Sequence, residues 1–362
     1  MFHCNQCKAA IAGGCAFCPN CGTRLPAASS DIFGSFADRI RNLASTDKLE
    51  GFSAAEMFSE VFRRRSQEEL EEYFLTGTSK ATPSLEDVQT GWPKPWFFFR
   101  VLAFISVVYL GFSWIMQAYS NPKAIPGMII MGALSFPLAT LILFFECNTP
   151  RNVTFHQTLM LMTFGGMLSL VFTHIGVANT DLRWLGAMSA GILEESSKLL
   201  TVLVLVRPSS KYPYMLNGLP FGAAVGAGFE VFEIAGYAFE RVMQTKSLAV
   251  MEMEIQLRAF TAPFGHAAWT AISAAAWWRV AAASKSRFDA IVDVRFWKAF
   301  LIPVLLHMFY NSPLPSPLYI KEVIVAIVSW IVILGFLQQG LHQVRRAQQD
   351  AARTILRQTQ QY

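Results

Sequence analysis

The chain has 362 residues, 53% of them hydrophobic and only 15% charged, with a net charge of +5 and a mean hydropathy of +0.35. A soluble domain carries about 25% charged residues, so this balance excludes a wholly soluble protein and reads as an all-α polytopic membrane protein with a smaller soluble part. The Lys and Arg are scattered over loops and tails, so no nucleic acid is expected as a partner, and the start, MFHCNQCKAA, has neither the basic nor the apolar region of a secretory signal.

Residues 1–25 form a compact cysteine module. Cys4-x-x-Cys7 is followed by Cys18-x-x-Cys21. Two such knuckles joined by a short hairpin put four thiolates in tetrahedral reach of one structural Zn²⁺. So small a segment cannot bury a core and needs the metal to fold. A pair of disulfides is the competing reading, and the lack of a secretory signal speaks against it. Cys15 is a spare thiol, and Cys147 stands alone further on. The module looks like the zinc ribbons found at the start of many bacterial membrane proteins, which implies a protein partner for it.

Residues 26–95 are polar. Ser53-Ala-Ala-Glu56 is a capping-box pattern that opens an expected helix with Met57, Phe58, Val61 and Phe62 on one face. Gln67 to Phe74 continues as a helix with an acidic face, and Thr76 to Pro95 reads as a linker. We read this region as a connector packed on the membrane domain rather than as a membrane-surface helix, because amphipathicity alone is common.

From Trp96 to residue 340, eight apolar segments approach the ~20 residues needed to span a bilayer. They fall near 96–119, 125–145, 158–179, 182–206, 214–239, 259–283, 296–311 and 317–339. Residues 341–362 form a basic polar tail. Basic flanks set the orientation. With both termini in the cytoplasm, thirteen Lys and Arg between Lys94 and Arg357 fall on the cytoplasmic side, against six between Lys123 and Lys321 on the outer side. The 240–258 connection, with Glu240, Arg241, Glu252, Glu254 and Arg258, is then an outer loop over the mouth of the bundle.

The apolar segments carry costly polar residues. Glu194 and Glu195 lie in the fourth, with Lys198 at i+4 and i+3. Glu230 and Glu233 lie in the fifth, His266 in the sixth, and His307 with Asn311 in the seventh. Each carboxylate at bilayer depth costs about 2.5–3.5 kcal/mol, so such groups mark a task. Small residues flank them, among them Gly186, Gly191, Gly222, Gly226 and Gly228, and small faces let helix backbones approach. At 1.5 Å per residue, Glu194 lies about 18 Å and the other polar groups about 6–14 Å below the outer ends of their segments. Carboxylate and imidazole at one buried point suit water activation, either by a glutamate base with His and Asn stabilising an oxyanion or by a catalytic Zn²⁺ held by His266, His307 and a Glu. His156 and His174 have no carboxylate partner in sequence and are read as structural.

The motifs EESSK at 194–198, GFEVFE at 228–233, FGHAAWT around His266 and HMFYN at 307–311 resemble the PrsW intramembrane proteases, within the larger group of CAAX prenyl endopeptidases and bacteriocin-immunity membrane proteins. The resemblance covers about 96–340. It implies an endopeptidase of the bacterial inner membrane that cuts a single-pass, anti-sigma-factor-like substrate on its outer side. Glu194, with Glu195 and Glu233, would activate water, Lys198 would tune the pair, and His266, His307 and Asn311 would stabilise the oxyanion or bind metal. Two other readings are an inactive scaffold or immunity-type protein and a proton-coupled transporter. Intact carboxylates oppose the first, and the absence of related halves opposes the second.

Overall fold

The computed structural model describes residues 32–282, 284 and 289–359, together with Phe2, His3, 6–11, Cys18, Asn20, Cys21 and Thr23. It divides into residues Met1–Ile40 and Arg41–Tyr362. In the first unit, β1 (Phe2–His3) pairs antiparallel with β2 (Ala10–Ile11), Phe2 opposite Ile11. Cys7, Cys18 and Cys21 lie together, with Cys7 Sγ 3.6 Å from Cys18 Sγ. Cys4 and Cys15 fall outside the described residues. A helix absent from the sequence reading, α1 (Ile32–Ala44), leads into the second unit.

One expectation for the connector changes. The helix opened by Ser53 is a single turn, α2 (Ala54–Met57), with the Ser53 hydroxyl accepting from the Glu56 amide. Then α3 (Gln67–Leu75) starts at a full capping box of Ser66 and Glu69, in which the Ser66 amide donates to the Glu69 carboxylate and holds it below the usual carboxylate range. The expected packing on the membrane domain is present. Tyr73 is buried against Trp96, Phe97 and Phe145, and the guanidinium groups of Arg65 and Arg100 lie 4.9 and 4.6 Å from the Trp96 ring centre.

Ten helices follow α3 before the last among the described residues. They begin with α4 (Phe97–Tyr119), α5 (Ile125–Glu146), α6 (Phe155–Met160) and its continuation after one π turn, α7 (Gly166–Asn179), then α8 (Ser189–Leu205), α9 (Gly218–Thr245), α10 (Leu248–Thr261), α11 (His266–Ala281) and the short α12 (Asp289–Val292). Next come α13 (Val294–Tyr310) and the final helix, α14 (Ile320–Thr359). Five of the described stretches are helices long and apolar enough to cross a membrane: Phe97–Tyr119, Pro122–Glu146, Phe155–Asn179, Met215–Thr245 and Pro317–Thr359. The other three expected spans are helices of 17, 16 and 17 residues, namely α8, α11 and α13. These three carry most of the polar cargo, which lowers their hydropathy.

The 240–258 loop is instead helical for most of its length: α9 runs to Thr245 and α10 starts at Leu248. The segment expected at 259–283 is broken. Pro263 and Gly265 interrupt it, so that α10 ends at Thr261 and His266 opens α11.

The core lies along α9 and α11. Every residue from Gly218 to Glu230 is buried, and so is every residue of α11 except Arg279. The two helices touch backbone to backbone. A Cβ at Gly218, Gly222 or Gly226 would meet the carbonyl of Ala274, Thr270 or His266 in turn. Gly166 of α7 faces Gly228 of α9, and Gly191 of α8 sits against Val304 O and Met308 of α13. Five helices thus approach closely enough for short side chains to meet.

Glu146 closes the first hairpin. Its carboxylate accepts from the amides of Trp96, Phe97 and Phe98 at 2.9, 2.8 and 3.1 Å, capping α4 from the end of α5. Free helix-end amides at this depth have no other partner. Glu146→Ala should lower the unfolding midpoint of the detergent-solubilised protein, with a loss of about 1.5–3 kcal/mol set by its charged hydrogen bonds. Glu146→Gln, which keeps an acceptor, should lose less.

Candidate functional site

Glu194, Glu195 and Lys198 face one way from α8, Glu230 and Glu233 from α9, His266 from the first residue of α11, and His307 from the last turn of α13. The structure brings all seven together. Lys198, fully buried, lies 2.6 Å from Glu195 Oε1 and 2.5 Å from His266 Nδ1, with Glu194 Oε2 at 3.9 Å. His266 Nε2 is 3.0 Å from Glu233 Oε2. His307 Nδ1 is 2.9 Å from Glu195 Oε1, and its Nε2 is 3.9 Å from Glu194 Oε2.

These contacts set the tautomers. An ammonium has only protons to offer, so His266 Nδ1 accepts from Lys198 and Nε2–H donates to Glu233. His307 Nδ1–H donates to the Glu195 carboxylate, which leaves a lone pair on Nε2 facing Glu194. Glu194 Oε2 is buried without a hydrogen-bond partner. Three electron-pair donors, Glu194, His266 and His307, therefore lie with their ligand atoms within 4.8 Å of one another and could hold a metal ion. Glu195 sits behind His307 as the carboxylate that orients a ligating imidazole.

A cavity of 360 Å³ opens on this cluster, lined by Glu194, Glu230, Glu233, Tyr237, Arg258, His266, Trp269, His307 and Asn311 among others. Glu230 is buried, and its Oε2 has no hydrogen-bond partner. Asn311 caps α13 and lines the cavity; one proton of its amide goes to Ala187 O at 3.4 Å, outside the ionic cluster, and the other is left for a group in the cavity. His156 and His174 are exposed; His174 bonds only the Leu170 carbonyl, at 2.8 Å.

Three site residues escaped the sequence reading. Trp269 stacks on His307 at 4.8 Å between ring centres and anchors its indole N–H on Ser329 of α14 at 3.1 Å. Arg258, read as part of a loop, lines the cavity 3.6 Å from Glu233. One signal was available for Trp269: it follows His266 by three residues, which places both on one side of a helix.

Among the described residues, the cysteine group of the first unit is the other set that could hold a metal. The Ala9 amide lowers the Cys7 thiol to about 6, and burial raises Cys18 to about 11.

Residues 123–337 match the family described as PrsW family intramembrane metalloprotease. The match starts after α4, later than the 96 expected from sequence, and includes every residue of the ionic cluster. No curated protein and no solved structure matches the chain.

Ser329→Ala should free the Trp269 indole and loosen the stack that holds His307. The expected result is a fall in the intrinsic tryptophan emission anisotropy of purified protein, and a smaller loss of function than His307→Ala. Equal losses would place Ser329 in the chemistry itself.

Proposed function

The chain belongs to the PrsW family of intramembrane metalloproteases, and from that membership we propose that it hydrolyses a peptide bond of a single-pass membrane protein at the Glu194–His266–His307 cluster. The observation that carries this reading is the convergence of Glu194 Oε2, buried without a hydrogen-bond partner, and His307 Nε2, 3.9 Å apart at the wall of a cavity.

The residues fit a divalent cation. Four carboxylates, Glu194, Glu195, Glu230 and Glu233, face only Lys198 and Arg258 as cations, while Glu254 offsets Arg241. With the carboxylates ionised and the imidazoles neutral, the site is short of two positive charges. His266 Nδ1 would turn from Lys198 toward such an ion. When bound, Zn²⁺ supplies a Lewis acid and a water whose pKa falls to about 7. The chain's own residues do the remainder. Glu230, with an unpaired oxygen at the cavity, accepts the proton of the attacking water. Lys198 holds Glu195 toward His307, and Asn311 has an amide at the cavity wall to meet a developing oxyanion. In the metal-free alternative, Glu194 itself takes the proton.

We further propose a bacterial inner-membrane protein with cytoplasmic termini, on the thirteen-to-six excess of basic flanks. The cysteine module would be a Cys4, Cys7, Cys18 and Cys21 zinc ribbon in the reducing compartment, with a protein partner. An anti-sigma-factor-like substrate follows from the family resemblance alone. An inactive scaffold or a proton transporter would leave the peptidase arrangement without a task.

Two measurements test this. Elemental analysis of the purified protein should find two equivalents of zinc. Cys18→Ser with Cys21→Ser should remove one, and Glu194→Gln or His307→Ala should remove the other. Glu194→Gln should also reduce cleavage of a co-expressed single-pass substrate more than tenfold, about 1.4 kcal/mol of barrier, while His174→Ala leaves it unchanged. Mass spectrometry of the product should place its new N-terminus at the outer end of the substrate's membrane segment. A cytoplasmic cut would reverse the orientation.

A further inference from the structure

Arg258 sits at the start of the last turn of α10, the helix that replaces the expected loop. Its guanidinium carbon lies 3.6 Å from the Tyr237 ring centre. Its Nε donates to Glu254 Oε1 at 2.6 Å, and Glu254 is held in turn by Arg241 Nε at 3.1 Å. Its Nη1 reaches Glu233 Oε2 at 3.6 Å. That same Glu233 oxygen accepts from His266 Nε2.

The order of these contacts says which group holds which. Arg258 is fixed by two groups outside the ionic cluster, the Tyr237 ring of α9 and the Glu254 carboxylate of its own helix, and that carboxylate is held in turn by Arg241 of α9. A planar guanidinium seated on an aromatic face, with its Nε hydrogen-bonded to a carboxylate, has little freedom left. Glu233 has no such anchor beyond the two groups that share its Oε2. The guanidinium is therefore the fixed point and the Glu233 carboxylate the part that follows.

We propose that Arg258 is a positioning residue: locked between Glu254 and Tyr237, it holds the Glu233 carboxylate against His266 Nε2 and so presents His266 Nδ1 to Glu194 and Lys198. Glu233 fixes the His266 tautomer, and Arg258 fixes Glu233. The assignment rests on the peptidase reading for its catalytic consequence, but not for the tautomer itself. Without Arg258, Glu233 is free to leave Nε2, and the imidazole can carry its proton on either nitrogen.

The test uses the full-length protein in liposomes, with the imidazole spectra recorded after chelation, since a metal on His266 Nδ1 fixes the tautomer by itself. The chain has six histidines, so the ¹⁵N-imidazole resonances of His266 are assigned by their loss in His266→Gln. The wild type should show a protonated Nε2 and a non-protonated Nδ1. Arg258→Gln should split His266 into both tautomers, and Arg258→Lys, which keeps the charge but not the fork, should fall between. On a quenched fluorogenic peptide with one transmembrane segment, Arg258→Gln should lower kcat about ten- to a hundredfold, as a small misplacement does, with KM within about twofold. Glu254→Gln, remote from the cavity chemistry, should show the same split more weakly and covers the case in which Arg258→Gln fails to fold. An unchanged His266 spectrum in both variants overturns the proposal. So does a raised KM with intact kcat, which would make Arg258 a substrate contact. A wild type that cleaves no such peptide strikes at the peptidase reading, while the tautomer still decides the role of Arg258.

Discussion

The structure depends on one constraint: charges taken into an apolar bundle must neutralise one another there. Glu195 and Lys198 have no exposed side-chain surface, and each is within 3 Å of a partner on another helix as well as of the other. Removing one member of such a set leaves a buried charge unpaired, at a cost of about 3–5 kcal/mol. The pairing can form only where four helices come close. That closeness comes from the glycines of α9, which seat α11 carbonyl by carbonyl, and from Gly191, which seats α8 on α13. Small side chains and ionic side chains are thus two halves of one arrangement.

Much of this was legible in the sequence because the cost of polar groups in apolar segments is local. Glu194, Glu195, Glu230, Glu233, His266 and His307 stood out without any knowledge of the fold, and so did the glycine faces. The same clue, the four motifs in order, carried the family. What was not legible depended on partners far along the chain. Glu146 looks like the polar end of a hydrophobic run, yet its partners lie about fifty residues earlier. Trp269 looks like core until Ser329 and His307 are placed beside it.

The misplaced boundaries have a common cause. Hydropathy averages over a window, and the polar residues of the site dilute it. The segment around His266 was extended back to 259 because apolar residues continue across Pro263 and Gly265. The chain bends there instead, and the bend puts His266 at a helix start, at the mouth of the cavity. Charged residues in 240–258 suggested a loop. They are paired with each other along α9 and α10, as Arg241, Glu254 and Arg258 show, and pairing lets charge sit on a helix that faces the site.

The last helix has forty residues, about 60 Å at 1.5 Å per residue, which is twice the apolar thickness of a bilayer. Its inner half carries Ser329, the anchor of Trp269. From its middle onward it carries Gln338, His342 and Gln348, which grip Glu50, Asp47 and the carbonyls of Leu85 and Val88. Such a rod is a lever with its short arm in the site. Ser329 and Gln348 are nineteen residues apart, so a tilt of about 5° pivoting at Ser329 sweeps Gln348 through about 2.5 Å. The connector contacts at 47–50 and 85–90 and the Ser329 anchor of Trp269 thus share one unbroken helix, so their positions are set together.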